Sequence, residues 1–356
     1  MTDKAAPRAL VVGSGFGCRI HVPALRAVGF EVAGLVGRDP DRTQRRAEAN
    51  GIARWFTDLG EAIRETGAVA VTIASTPHSH AALTLTAIEH GCHVICEKPM
   101  AATAQEGRAM LAAAEAAGVT HLMGNEFRWL PDRALVMRAI ADGLIGEPRY
   151  ATLSSYSALV ADPEAKMPRW WFDQGEGGGW LGAQGSHIID QMRSWLGDFE
   201  SLSASLPTVS AREGGAEDSY TVKFRLKNGV EGVIQQSAGA WGPMSAMTRV
   251  AGTEGTLWVE NGVVKLATKE GVRDLPVTDD LALPPPPDAS DDPRKRFSQF
   301  ELGPYIRLCE VLRAGVDGRD FTPAVPAPTF RDGVAAMEVM DAVRRSAAEG
   351  GTLVTL

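Results

Sequence analysis

Residues 11–18 have the sequence Val11-Val12-Gly13-Ser14-Gly15-Phe16-Gly17-Cys18. An apolar run that ends in Gly13 and Gly15 predicts a buried strand, a tight turn and then a helix. Glycines here let the backbone approach a pyrophosphate, whose charge is met by N–H groups at the helix N-terminus. Cys18 stands in the third small position of the pattern, beside Gly17. By itself the stretch also fits a tight turn that binds no ligand.

The residues around this turn alternate between short apolar runs and helical patterns. Strands are predicted at residues 9–12, 31–36, 69–74, 93–96 and 120–123. Asp58 before Glu61 and Thr103 before Glu106 have capping-box spacing, which places two helix starts between the strands. This alternation predicts a doubly wound parallel sheet of the Rossmann type.

After Gly124 the pattern changes to that of an α+β domain. Helices are predicted at 131–142 and 183–196, a strand around Tyr150, and further strands near 202–209, 220–226, 230–237, 248–250, 256–260 and 263–267. The turns Asn228-Gly229 and Asn261-Gly262 indicate successive hairpins, and hence an open, mainly antiparallel sheet. Residues 283–293 include four consecutive prolines and predict an exposed extended loop, followed by helices at 297–314 and 329–348.

The length of 356 residues favours two domains. We expect a dinucleotide-binding domain at 1–124 and an α+β substrate-binding and oligomerisation domain at 125–356, whose closing helices are candidates to pack back on the first domain. The sheet of the second domain has few helices to cover its outer face, which predicts a homodimer or homotetramer.

Charge and cysteine usage narrow the class of protein. The formal net charge is −8 with no basic block, which argues against nucleic acid and membrane partners. The N-terminal residues contain no long apolar segment, so a secretion signal is not expected. The four cysteines show no disulfide framework or zinc spacing, which predicts a cytoplasmic protein without a metal site.

The end of the second predicted strand bears on cofactor choice. An NAD site usually places Asp or Glu here, whereas this chain has Gly37-Arg38 with Arg42 beyond it. A small residue followed by arginine leaves room for a 2′-phosphate and supplies a cation, which favours NADP over NAD. Alternatively, Asp39 serves NAD and the two arginines are a solvated helix start.

Two further stretches carry groups suited to catalysis. Lys98, in Glu97-Lys98-Pro99, follows a strand at the edge where parallel sheets bind ligands, and it could stabilise a developing alkoxide. His187 follows the three glycines at 177–179 and could carry the substrate proton. Taken alone, the first also fits a surface ion pair and the second a structural histidine.

Together these motifs resemble the Gfo/Idh/MocA family of oxidoreductases over nearly the whole chain. The resemblance rests on the glycine-rich opening followed by His21, the segment 74–80, the Glu97-Lys98-Pro99 turn, Gly124-Asn125 with Arg128, the segment 177–190 and the segment 252–256. It implies a Rossmann domain, a second α/β domain whose open sheet forms the oligomer interface, a tightly held NAD or NADP, and sugar, cyclitol or related polyol substrates.

The resemblance also implies roles for individual residues. It assigns catalysis to Lys98 and His187. The positions that usually touch the cofactor in the family are Gly13, Gly15, Phe16, Arg38, Ser75, Thr76, His80, Glu97 and Lys98. We also expect cofactor contacts from Gly17, Cys18, Gly37, Arg42, Pro77 and Asn125. The family helix usually carries an aspartate four residues before its histidine, where this chain has Ala183. That departure suggests an altered substrate, a different proton path through Gln184 or Tyr156, or a member that no longer catalyses simple alcohol oxidation.

The leading hypothesis is therefore hydride transfer between a nicotinamide and a carbinol or carbonyl of a sugar-like substrate. The candidate substrate residues are Arg128, Tyr156, Trp171, Trp180 and Gln184. One alternative is a redox-neutral elimination or glycoside cleavage assisted by bound NAD. Another is a regulatory protein that senses the cofactor without catalysis, which the intact Lys98 and His187 disfavour. His21, His78, His90 and His93 are interpreted as structural.

Overall fold

The computed structural model describes residues 5–213, 215–285 and 297–356. Their contacts divide the chain into two compact units. Unit 1 comprises Met1–Leu130 and Leu283–Val334, and unit 2 comprises Pro131–Ala282 and Ala335–Leu356. The N-terminal segment therefore shares its unit with a segment from near the C-terminus.

Six of the described strands lie in unit 1 and nine in unit 2. Those of unit 1 are β1 (Arg8–Val12), β2 (Glu31–Val36), β3 (Trp55–Phe56), β4 (Ala70–Ile73), β5 (His93–Cys96) and β6 (His121–Met123). Those of unit 2 are β7 (Pro148–Tyr156), β8 (Phe199–Ser205), β9 (Ser219–Leu226), β10 (Glu231–Ser237), β11 (Ser245–Gly252), β12 (Gly255–Glu260), β13 (Val263–Thr268), β14 (Gly271–Leu275) and β15 (Val354–Thr355).

The α-helices alternate with the strands in unit 1 and are fewer in unit 2. The described helices are α1 (Val22–Ala27), α2 (Pro40–Ala49), α3 (Leu59–Thr66), α4 (His80–Glu89), α5 (Ala104–Ala117), α6 (Pro131–Ala141), α7 (Ser186–Leu196), α8 (Ser298–Val316) and α9 (Phe330–Ala348). Helix α8 belongs to unit 1, and α9 begins in unit 1 and continues into unit 2.

The sheet of unit 1 is parallel throughout its described pairs and has the order β3-β2-β1-β4-β5-β6. This is the doubly wound order of dinucleotide-binding folds. The two predicted helix starts are confirmed: Asp58 accepts the Glu61 N–H at 2.7 Å, and Thr103 and Glu106 form a reciprocal capping box.

The sheet of unit 2 has the order β14-β13-β12-β11-β7-β10-β9-β8-β15. Its described pairs are antiparallel except for β7 with β10, which confirms the predicted, mainly antiparallel sheet. Asn261 and Gly262 both have positive φ, 51° and 77°, as the two-residue turn between β12 and β13 requires. Helix α6 packs against β12 and β13, and also against α7.

The structure differs from the sequence prediction in its short elements. Strands β3, β14 and β15 were not predicted, because two of them are only two residues long and β14 is an exposed edge strand without alternation. Residues 17–21 and 181–185 form π-helical turns where ordinary helix was expected. Most of the predicted proline-rich loop, from residue 286 onward, lies outside the described residues.

The unit boundaries also differ from the predicted division at residue 124. The turn Glu126–Trp129, placed in the second domain by the sequence prediction, packs against α8 and belongs to unit 1. In the described ranges, no helix is both long enough and apolar enough to cross a membrane.

Candidate active site

Gly13 at the end of β1 is required by both its conformation and its surroundings. Its φ is +104°, which L side chains rarely adopt, and a Cβ would lie 2.3 Å from the carbonyl oxygen of Ala74. The Gly13 N–H donates to the Val36 carbonyl at 2.9 Å, which ties the turn to the end of β2. Any side chain at this position would push β1 away from the segment after β4.

Gly15 and Gly17 have different roles in the same turn. A Cβ on Gly15 would meet none of the described atoms within 4 Å, so this exposed backbone is open to a ligand. A Cβ on Gly17 would lie 2.7 Å from Val11 Cγ1, so Gly17 allows the close helix–strand packing that the third glycine usually provides. Cys18 is buried, and burial raises the pKa of its thiol to about 11. The turn therefore fits the pyrophosphate of a dinucleotide.

The residues at the end of β2 leave two arginines exposed. Gly37 packs on Thr43, because a Cβ would lie 2.3 Å from Thr43 Oγ1. Asp39 is the N-cap of α2, and its carboxylate accepts the Arg42 N–H at 2.9 Å. Arg38 and Arg42 are both exposed. The acidic side chain nearest this position is thus engaged in helix capping.

His80 links the segment after β4 to the turn after β5. It is 1% exposed, with Nδ1 2.9 Å from the Pro99 oxygen and Nε2 3.2 Å from the Ser75 oxygen. Burial lowers the pKa of His80, and a neutral ring donates from one nitrogen, which we assign to Nδ1 because its contact is shorter. Ser75 and Thr76 are half-buried, and Pro77 is buried.

Glu97 and Lys98 follow β5 directly. The Glu97 side chain is buried, with Oε1 3.2 Å from His21 Nε2 and Oε2 accepting the Lys98 N–H at 3.3 Å. Gly124, after β6, lies against this carboxylate, since a Cβ there would come within 2.3 Å of Glu97 Oε1. Lys98 itself is half-buried at the carboxyl end of the sheet.

Two buried polar residues, Asn125 and Glu126, follow β6. Burial, reinforced by the neighbouring Glu97, raises the pKa of Glu126 well above its ordinary value, while Lys98 acts in the opposite direction. Glu126 Oε2 has no hydrogen-bond partner among the described residues. The Glu126 carboxyl group therefore keeps its proton at pH values at which a free glutamate begins to ionise.

Arg128 is held inside unit 1. Its guanidinium donates to the Pro326 oxygen at 3.1 Å and pairs with Asp332 at 3.0 Å, and the residue is 8% exposed. These contacts tie the turn after β6 to Pro326, before α9, and to Asp332, in the first turn of α9. The role of Arg128 in substrate binding stays a prediction.

His187 lies near the start of α7 in unit 2 and is 3% exposed. The glycines before it are needed for close packing: a Cβ on Gly178 would lie 1.9 Å from the Trp170 oxygen, and one on Gly182 would lie 2.0 Å from the Gly177 oxygen. Ala183, where the family resemblance implies an acid, is 3% exposed, so a carboxylate there would be buried.

The remaining substrate candidates also lie in unit 2. Trp171 and Trp180 meet edge to face with ring centroids 5.5 Å apart. Gln184 is half-buried on the second π-helical turn. The Tyr156 hydroxyl, at the end of β7, donates to Gln235 Oε1 at 2.8 Å.

Comparison with known proteins decides the family. A family profile described as "Oxidoreductase family, NAD-binding Rossmann fold" matches residues 8–125, and the GFO/IDH/MocA C-terminal domain profile matches residues 134–258. A 1,5-anhydro-D-fructose reductase of Ensifer adhaerens is 32% identical over 72% of this chain and 78% of its own. The chain belongs to the Gfo/Idh/MocA family. It is therefore an oxidoreductase with an NAD-binding Rossmann domain.

Other relatives match this Gfo/Idh/MocA protein over most of its length. A D-apiose dehydrogenase of Paraburkholderia graminis is 29% identical over 96% of this chain and 88% of its own. The solved structure of a levoglucosan dehydrogenase in complex with NADH and levoglucosan covers 99% of both chains with a TM-score of 0.83 at 24% identity, which shows the same fold.

In this Gfo/Idh/MocA chain, the predicted cofactor residues gather at one edge of unit 1. They follow the carboxyl ends of β1, β2, β4, β5 and β6, where open α/β sheets bind ligands. His187, Trp171, Trp180, Gln184 and Tyr156 belong to unit 2. Sequence reasoning did not find the contact of His21 with Glu97 or the burial of Glu126. The sequence signals available were only the position of His21 after the glycine turn and that of Glu126 after Asn125.

Proposed function

We propose that this protein transfers hydride between a nicotinamide cofactor and a carbinol or carbonyl carbon of a sugar or related polyol. The observation that supports this most directly is the position of Lys98, which follows β5 at the same sheet edge as the open backbone of Gly15. A cation at that edge can polarise the oxygen of the reacting carbon.

Lys98 and His187 have distinct roles in this proposal. Lys98 stabilises the negative charge that develops on the substrate oxygen as the C–H bond breaks. His187 accepts the hydroxyl proton in oxidation and returns it in reduction, as an imidazole titrating near neutrality can do. The nicotinamide supplies hydride acceptance or donation when bound.

The cofactor we propose is NADP rather than NAD. Arg38 and Arg42 are exposed beside the small Gly37, whereas Asp39 is occupied as the cap of α2. This arrangement favours a 2′-phosphate over a free 2′-hydroxyl, because two exposed arginines follow the small residue at the end of β2. Gly13, Gly15, Phe16, Ser75, Thr76 and Asn125 are proposed to complete the site.

A sugar-like substrate is supported by the names of the relatives. These relatives are named as dehydrogenases of D-apiose and levoglucosan and as a reductase of 1,5-anhydro-D-fructose. We assign substrate contacts to Trp171 and Trp180, whose flat faces suit sugar C–H surfaces, and to Gln184, Tyr156 and Arg128. The exposed side chains of Trp241, Met244 and Met247 in unit 2 support a homodimer or homotetramer. The four free cysteines in the described chain fit the proposed cytoplasmic location.

A substrate screen with two variants tests the proposal. Purified protein is mixed with NADP or NAD and a panel of sugars, cyclitols and lactones, and the absorbance of reduced nicotinamide is followed. Lys98→Met is expected to lower kcat by on the order of 100-fold or more. His187→Ala is expected to lower it by roughly 100- to 10,000-fold.

Two outcomes would contradict the proposal. Full turnover by His187→Ala would remove the histidine as proton carrier and leave Tyr156 or Gln184 as the alternative. Substrate consumption without net change in reduced nicotinamide would instead indicate the redox-neutral reaction.

A further inference from the structure

The backbone of Lys98 is held by a buried carboxylate. Glu97 Oε2 accepts the Lys98 N–H at 3.3 Å, and the other oxygen of the same group lies 3.2 Å from His21 Nε2. On the far side of the turn, His80 contacts the Pro99 oxygen at 2.9 Å. The Lys98 N–H and the Pro99 carbonyl oxygen are thus each held by a hydrogen bond to a buried side chain.

His21 is itself fixed by aromatic packing. Its ring stacks on Tyr305 of α8 with centroids 4.5 Å apart and an interplanar angle of 23°. Phe16, from the glycine-rich turn, meets the edge of His21 at 5.3 Å and Tyr305 at 6.0 Å. The His21 and Tyr305 rings are fully buried, so His21 Nε2 keeps one direction relative to Glu97.

Several titratable or charged groups of the described residues surround this pair, and His80 and Cys96 are two that interact with Glu97. Glu126 and Tyr305 are buried beside Glu97, and Lys98 is the adjacent cation. Arg19 lies over the Phe16 ring and pairs with Glu301 of α8. Because burial and Glu97 favour a protonated Glu126, a second negative charge next to Glu97 is avoided.

We propose that Glu97 and His21 are positioning residues for Lys98, and that His21 acts on the lysine only through Glu97. This inference rests on the proposed function, in which Lys98 polarises the substrate oxygen. It changes the expected role of Glu97, which the family resemblance assigns to the cofactor, and that of His21, which was interpreted as structural.

The pair acts through distance and direction. Lys98 reaches the reacting oxygen at the end of a flexible four-carbon side chain, so its backbone position decides where the ammonium group is found. A misplacement of about 1 Å at a reacting centre can cost on the order of 100-fold in rate. A residue that fixes this backbone therefore affects kcat more than the binding of either substrate or cofactor.

A double-mutant cycle separates this role from a purely structural one. His21→Phe keeps a ring against Tyr305 and Phe16 but removes Nε2. Glu97→Gln keeps the shape of the side chain but removes its charge. Each is made in the native background and in Lys98→Met, and kcat, KM, the cofactor Kd by fluorescence titration and the unfolding midpoint are measured.

We expect His21→Phe and Glu97→Gln each to lower kcat by on the order of 10- to 100-fold in the native background, with threefold or smaller changes in the substrate KM and cofactor Kd. In Lys98→Met, neither is expected to lower kcat further, because residues that act as a unit are not additive. Equal losses in both backgrounds, or no loss in either, would overturn the proposal. If His21→Phe does not fold, Glu97→Gln decides alone.

The chemical reactivity of Lys98 gives a second measurement that does not depend on catalytic turnover. Competitive acetylation of the cofactor-free protein, quantified for the Lys98 peptide against that of exposed Lys269, gives the pH dependence of Lys98 reactivity. Both variants are expected to shift this curve for Lys98 but not for Lys269. An unchanged Lys98 curve would contradict the proposal.

The matched control is His121→Phe. His121 is another histidine of unit 1 whose ring is held by described contacts, but these are with Phe330, whose N–H donates to His121 Nδ1 at 3.3 Å, and not with Glu97. The kcat of the His121→Phe variant and the reactivity of its Lys98 are expected to match those of the native protein. If Lys98→Met retains full activity, the proposed function fails, whereas a shift in Lys98 reactivity would still report positioning.

Discussion

Arg38 is the residue on which the proposed preference for NADP depends most directly. We expect NADP to bind more tightly than NAD, and Arg38→Asp to reverse that order, since the variant replaces a phosphate-binding cation with a carboxylate. The loss of NADP binding free energy in Arg38→Asp is expected to be roughly 1.5 to 3 kcal/mol, the range for a hydrogen bond to a charged group. Titration of both cofactors measures it. Arg45→Asp, the same charge change on an exposed residue of α2, is the control, and equal affinities in the native protein would contradict the assignment.

Ala183 stands where the family resemblance implies an aspartate. Ala183→Asp introduces a buried carboxylate on the turn that leads to His187. If this position faces the substrate, the variant is expected to change the pH profile of kcat or the preferred sugar, because a new acid alters the field at the histidine. The screen described above, repeated over pH, checks this. Ala183→Asn controls for size, and identical profiles for Asp and Asn would exclude a role for the charge.

Single residues also show which parts of the candidate site could be predicted from the sequence. Gly13, Lys98 and His187 were found from local motifs, because a motif places chemical groups at fixed offsets from a strand or helix end. The contact between His21 and Glu97 spans 76 positions, and Tyr305 arrives from α8. The engagement of Arg128 with Asp332 is equally remote in sequence. No periodicity in one sequence reports such pairs.

Glu217 anchors the element that precedes His187. Its backbone oxygen accepts the Trp180 N–H at 2.8 Å, and its Oε1 accepts the Leu181 N–H at 3.2 Å. Gly179 lies against the carboxylate, where a Cβ would come within 2.0 Å of Oε1. Burial raises the pKa of Glu217 despite these hydrogen bonds, with Arg344 lowering it and Asp218 raising it. The start of this π-helical turn therefore depends on a carboxyl group that resists ionisation.

Glu217→Gln tests the consequence for stability. A raised pKa in the folded protein means that the unfolded chain ionises first as pH rises above about 4.5, so the contribution of Glu217 to the free energy of unfolding decreases with pH. Glutamine cannot ionise, so the stability of the variant relative to the native protein is expected to rise from about pH 4.5 to about pH 8. Urea unfolding at both pH values measures this. Exposed Glu270→Gln should show no such trend, and a flat difference for Glu217→Gln would refute the assignment.

At the scale of elements, the long strands were predictable and the irregular ones were not. The bounds of β2 and β5 were predicted correctly because each is an apolar run set off by turn residues. The π-helical turns at 17–21 and 181–185 could not be predicted, since each is a single turn of five residues and too short to show a period of its own. Both occur at predicted functional segments, as such turns often do.

For the whole molecule, we expect a dimer or tetramer. Unit 2 exposes large apolar side chains on and next to β11: Trp241 is 76% exposed, Met244 84% and Met247 46%. Such a patch favours association with a second copy. Light scattering over a wide concentration range should give a multiple of the 37.9 kDa chain mass, and Met247→Lys should shift it toward monomer. Val209→Lys, at another exposed position, is the control, and monomer mass for the native protein at all concentrations would contradict the prediction.

The division of unit 1 into two chain segments affects how the protein is made. Strands β1 to β6 leave the ribosome before the segment Pro131–Ala282, which belongs to unit 2, and α8 follows only afterwards. At bacterial and eukaryotic synthesis rates this delay is roughly 10 to 40 s. Throughout that interval the His21 ring lacks the Tyr305 ring that covers it in the finished protein. A nascent chain stalled before Ser298 should therefore be cut readily by proteases and retained by chaperones.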